Sequence, residues 1–125
     1  MARMTFGQFL HRIRKRANGT QIAKAAGISY VYLLDLEKGA RPVPSNTVLI
    51  ALSNVLPFQP GEKEKFFDLA AYESHSAPLD VVKYISDNDE LIRFIREIKK
   101  NNLKNKDLKV RLQKVYCEER NEAND

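Results

Sequence analysis

The run Gln21-Ile22-Ala23-Lys24-Ala25-Ala26-Gly27-Ile28-Ser29-Tyr30-Val31-Tyr32-Leu33-Leu34-Asp35-Leu36-Glu37-Lys38-Gly39 decides the fold. Apolar side chains recur at helical spacing on both sides of Gly27, which predicts two short helices and a tight turn between them. The first is expected to start at Asn18 or Thr20 and to stop at Ala26, because Gly27 suits the left-handed conformation that ends a helix. Ser29 is a good N-cap for the next, from Tyr30 to about Lys38. Ala23 is small enough to let the two helices cross closely. Ile28 and Leu33 are placed to fill the wedge between them.

The pattern stays helical outward from this run, with no alternating strand and no internal repeat. Upstream, Thr5-Phe6-Gly7-Gln8 has the form of a capping box, and Phe6, Phe9, Leu10 and Ile13 make an apolar stripe on a first helix. Downstream, Pro42 and Pro44 mark an extended loop, and Ser45 can cap a fourth helix that turns Val48, Leu49, Ala51, Leu52 and Val55 inward. Pro57 to Gly61 breaks the chain again, and a fifth helix is expected from Glu62 to Tyr72. Residues 73–78 lack periodicity and read as a linker. Three further helices are expected at about 79–85, 89–100 and 107–120, with a frayed tail at 121–125. The fold class is all-α: a domain over residues 1–72, then a helical C-terminal segment over 79–120.

Charge narrows the function. Of the 125 residues, 43% are hydrophobic and 30% charged, an ordinary globular composition. Residues 1–60 hold eight basic side chains and two acidic ones, a net of +6, whereas the whole chain nets +5. A small domain so biased attracts polyanions. No stretch approaches the roughly 18 apolar residues of a membrane span. With no signal-peptide core either, a cytoplasmic location is expected. His11, His75 and the single cysteine, Cys117, have no metal-ligand spacing. There is no glycine-rich phosphate loop and no nucleophile elbow. Catalytic, metal and cofactor roles are therefore not expected, and the chain does not read as an enzyme.

From about Thr5 to Leu56 the sequence resembles the phage-repressor and Cro-like helix-turn-helix family, also called the XRE family. The resemblance rests on Leu10 and Arg14, Ile22-Ala23, Gly27-Ile28-Ser29, Leu33, Leu36-Glu37-Lys38-Gly39, Arg41-Pro42 and the Leu49, Leu52, Leu56 pattern. It implies a five-helix lambda-repressor-like domain that lays its third helix in the major groove of duplex DNA. It implies a structural pair between Arg14 and Glu37. It implies that Ser29, Tyr30, Val31, Leu34 and Asp35 read base edges, and that Thr20, Gln21, Lys38, Ala40 and Arg41 hold phosphates. The function so implied is a sequence-specific transcriptional regulator, a repressor, acting as a homodimer.

Two features depart from the family. The stretch before Ile22 is about two residues short. Either Thr20-Gln21 starts a clipped helix, or Asn18 caps it and Gly19 takes the phosphate-contacting place. The reading face also lacks Arg, Lys, Asn and Gln, the side chains suited to bidentate base contacts. One alternative is that Tyr30, Val31, Tyr32 and Leu34 form an apolar surface for a protein, in an interaction module; another is an antitoxin, which binds a toxin through the C-terminal helices and also binds DNA. In the C-terminal segment, Lys99 to Lys114 holds seven basic residues and one acid. This run reads as a solvated helix face or an auxiliary DNA contact. The apolar stripe of Leu91, Phe94, Ile95 and Ile98 needs a cover, from its own chain, a second subunit or a regulatory protein partner.

Overall fold

Polar side chains start the first four helices. Thr5 Oγ1 accepts from the Gln8 amide at 3.1 Å and Gln8 Oε1 accepts from the Thr5 amide at 2.9 Å, which opens α1, Phe6–Arg14. Asn18 Oδ1 accepts from the Gln21 amide at 3.1 Å and opens α2, Gly19–Ala26. Ser29 Oγ takes the Tyr32 amide at 3.0 Å at the head of α3, Tyr30–Lys38. Ser45 takes that of Val48 at the head of α4, Asn46–Val55. Each cap supplies a partner to a backbone N–H that the helix itself cannot bond. Gly27 and Gly39 close α2 and α3 at φ of 76° and 74°, a region that side chains with a Cβ disfavour. α5, Glu62–Ser74, has no side-chain cap and instead carries Glu62 and Glu64 in its first turn, against the positive end of its dipole.

The computed structural model describes residues 3–102 and 104–124, the side chains of 115, 116 and 118–124 excepted. Among them the chain forms eight helices and no strand. α1 packs on α3 and α5, α2 on α3 and α4, and α4 on α5. Phe6, Phe9, Leu10, Ile13, Leu33, Leu36, Leu52 and Phe66 are fully buried where these helices meet. Phe66 stands at the centre of an aromatic cluster, its ring 5.1 Å from Phe6, 5.4 Å from Phe58 and 5.5 Å from Phe67. Aromatic contacts at these spacings stabilise beyond the area they bury.

The end of this unit differs from the sequence expectation. α5 does not stop at Tyr72. It runs on through Glu73 and Ser74, both expected in the linker, and closes at His75 with φ of 55°. Two bonds explain the extra turn. Glu73 Oε1 accepts from the Phe6 amide at 2.9 Å, tying α5 to the head of α1. Ser74 Oγ bonds back to the Ala70 carbonyl at 2.7 Å. The chain contacts divide it after Tyr84, inside α6 (Leu79–Ser86), rather than at 73–78. The cause is Leu79, which packs on the first unit's core.

The second unit holds α7, Asp89–Lys100, and α8, Asn105–Asn124. α8 continues past Arg120 to Asn124, so residues 121–124, expected to fray, are helical, while Asp125 lies outside the described residues. Cys117 is exposed. No helix of the described residues is long and apolar enough to cross a membrane.

Candidate nucleic-acid interface

α3 divides cleanly between inside and outside. Leu33, Leu36 and Glu37 are buried, while Tyr30, Val31, Leu34 and Asp35 fall on the other side, with Ser29 at the cap. Val31 is 68% exposed and Tyr30 38%; Leu34 and Asp35 are half-buried. The exposed arc is therefore apolar in its first turn and acidic in its second. Lys38 and Arg41 are exposed just beyond it. Arg41 Nε stands 4.0 Å from Asp35 Oδ2, so an expected phosphate ligand and an expected base reader face each other in the free protein.

The start of α2 resolves the short stretch before Ile22. Asn18 is the cap and Gly19 the first helical residue, followed by exposed Thr20 and Gln21. Gly19 is buried because Tyr30 lies over it. A Cβ there would stand 2.8 Å from Tyr30 Cε2 and 3.0 Å from Arg14 Cδ. The missing side chain thus makes room for the Tyr30 ring beside the positive end of the α2 dipole. Ala40 is placed differently from the rest of the phosphate set. Its amide donates to the Asp35 carbonyl at 2.9 Å, which leaves it no free backbone donor for a phosphate.

The end of α3 is anchored by charge. Arg14 Nε donates to Glu37 Oε1 at 2.9 Å, and the Glu37 side chain is only 4% exposed. His11 Nδ1 lies 2.9 Å from the same oxygen and 3.2 Å from Arg14 Nη2. Only an Nδ1–H imidazole makes the carboxylate contact favourable, since a bare Nδ1 would oppose lone pair to lone pair. His11 is exposed, and the sequence signal for this contact is that His11 and Arg14 are three apart and share a helix face. Gly7 sets the spacing of the same junction. A Cβ on it would meet the Leu36 and Glu37 carbonyl oxygens at 2.6 Å, so α1 approaches the end of α3 through bare backbone.

Two of the basic side chains in the first half are therefore structural. Besides Arg14, Arg16 reaches Glu62 with Nη1–Oε1 at 2.5 Å and Nη2–Oε2 at 2.9 Å, a bidentate pair joining the turn after α1 to α5. Those bonds, with the Gln59 amide on Oε1 at 2.7 Å, hold the Glu62 carboxyl down at about 2. The same carboxylate raises the Arg16 guanidinium further above its usual range. Arg12, Lys15, Lys24, Lys38 and Arg41 stay exposed. Among the described residues no group of three or more His, Cys, Asp or Glu side chains is placed to hold a metal ion.

The capped pair α2–Gly27–α3, with α3 presenting one face outward and basic residues about it, is the arrangement that enters a major groove. Residues 10–63 match the family model described as helix-turn-helix. The chain carries a helix-turn-helix domain of the XRE, phage-repressor-like family. No curated protein and no solved structure matches it. A domain of this family suggests a DNA-binding helix-turn-helix regulator. The matched segment ends at the first turn of α5, whereas the helix-turn-helix domain's core extends through α5 to Ala70.

Proposed function

We propose that this regulator is a sequence-specific transcriptional repressor that binds duplex DNA as a homodimer in the cytoplasm. The observation that carries the reading is the outward face of α3, fixed at both ends by the Ser29 cap and the Arg14–Glu37 pair and flanked by exposed Lys38 and Arg41. Val31 meets a thymine methyl, Asp35 accepts from a cytosine amino group, and Ser29 and Tyr30 offer hydroxyls to either base edge. Leu34 fills the apolar floor between them. Thr20, Gln21, Lys38 and Arg41 hold the phosphates on either side and so set the register in which the bases are read. When Arg41 turns to a phosphate, Asp35 is released to the groove.

DNA affinity measured against salt tests the reading. Arg41→Ala is expected to weaken binding on every sequence and to lower the slope of log K against log salt by about one unit. An unchanged slope removes Arg41 from the phosphate contacts. A second reading has its own observation, the exposed apolar start of α3 without a bidentate base reader. There the face docks on a protein, and DNA affinity is weak, salt-driven and blind to sequence.

A further inference from the structure

Charge along α6 and α7 suits the helix dipoles. α6 carries Asp80 in its first turn and Lys83 in its last, and α7 opens on Asp89 and Glu90 and closes on Lys99 and Lys100. α8 departs from this. Lys104 immediately precedes it, and Lys106 shares its first turn with Asp107. The start of α8 therefore carries two bases against one acid, at the end where a helix favours acids.

These bases are also unanswered. Lys99, Lys104, Lys106 and Lys109 are all exposed, and none pairs with a carboxylate among the described residues. Neighbouring bases do pair, Arg93 with Glu90 and Lys100 with Glu97. Lys106 and Lys109 lie within about 60° of each other around α8, whereas Asp107 is turned about 100° from the first and about 160° from the second. α7 and α8 line one groove through Phe94, Ile98, Leu108 and Leu112. The end of α7 and the start of α8 thus form the tip of a helical hairpin, and the lysines gather there. Like charges held together without partners repel, a cost that a fold bears where it meets something else.

We infer that this tip is a second phosphate-binding surface, which holds the backbone of duplex DNA outside the half-site that α3 reads. The identity of the polyanion rests on the α3 reading, since DNA bound by one unit is presented to the other at high local concentration. Duplex DNA carries a charge about every 1.7 Å along its axis, so each lysine finds a phosphate without a fixed register. Lysine suits that part, as a point charge on a flexible stem. The tip adds affinity on any sequence, and α3 supplies the preference.

The salt dependence of DNA binding by the full chain tests it, on the duplex that the wild type selects and on an unrelated duplex of equal length. Lys99→Gln/Lys104→Gln/Lys106→Gln/Lys109→Gln is expected to lower the slope of log K against log salt by about two to four units on both duplexes, leaving the ratio of their affinities unchanged. Lys99→Arg/Lys104→Arg/Lys106→Arg/Lys109→Arg is expected to keep the wild-type slope. On a duplex trimmed to the half-sites alone, the wild type and the glutamine variant are expected to converge. A gap that persists there overturns the inference, because the loss then comes from a disturbed fold or from inside the half-sites. A glutamine variant with the wild-type slope also overturns it and gives the tip to an acidic protein surface. So does a loss confined to the selected duplex. Each of these results, with a sequence selected by the wild type, leaves the α3 reading standing. Wild-type binding without sequence preference, still weakened in the glutamine variant, removes the α3 reading and keeps the tip. A wild type that binds no duplex overturns both.

Discussion

Replacing Glu37 by alanine leaves Arg14 and His11 around an oxygen that is no longer there. The carboxylate is buried, and removing one member of a buried ion pair costs about 3–5 kcal/mol because the other charge stays desolvated. Urea denaturation of Glu37→Ala is expected to show a loss of that size, and a loss of DNA binding at unchanged stability contradicts a structural role. Gly7→Ala makes a different point about the same junction. Its Cβ runs into two backbone oxygens at 2.6 Å, which cannot swing aside as a side chain can. Destabilisation of about 1–3 kcal/mol is expected, as for overpacked cores. Glu62 supplies a pH signature. Its carboxyl is held at about 2 in the fold, below the ordinary glutamate range it has when unfolded. Its contribution is therefore present above that ordinary range and is lost as pH falls through it towards 2. Thermal melts over the acid range are expected to fall less steeply for Glu62→Gln than for the wild type; parallel curves contradict the Arg16–Glu62 account.

At the scale of elements, the caps were the most legible part of the sequence. Thr5, Ser29 and Ser45 each sit one residue before a helix with an apolar face, and a hydroxyl there has a defined partner in the next turn. The start of α2 was not decided, because Asn18 and Thr20 are both capping types. The structure chooses Asn18 because the Tyr30 ring needs the bare Gly19 behind it, a tertiary contact that local pattern does not carry. The same holds at the end of α5. Glu73 and Ser74 have no apolar periodicity, and what keeps them helical is a bond to Phe6, 67 residues away. Asn18→Ala and Ser29→Ala are each expected to cost about 1 kcal/mol, the usual worth of an N-cap. Ser29→Ala is additionally expected to weaken DNA binding, since it loosens the reading helix at its first turn. Equal losses of stability with unchanged DNA affinity in both variants contradict the placement of the α3 N-terminus at the DNA.

At the scale of the molecule, net charge announced a partner for polyanions but overstated the free charge. Arg14 and Arg16 are held by Glu37 and Glu62, and Arg41 faces Asp35, so the charge free to meet a polyanion is smaller than the count of basic residues suggests. The Arg14–Glu37 contact was reachable only through family resemblance, and the contacts of His11 and Arg16 depend on which helices pack together. The division of the chain inside α6 was hidden for a similar reason, since one leucine, Leu79, reaches back to the core. The central claim is that α3 reads a DNA sequence. Selection of bound duplexes from a random pool, with the purified full chain at near-physiological salt, tests it most directly. The account predicts a short, two-fold symmetric consensus with half-sites about one helical turn apart. No enrichment over the starting pool contradicts it and gives the exposed face of α3 to a protein partner.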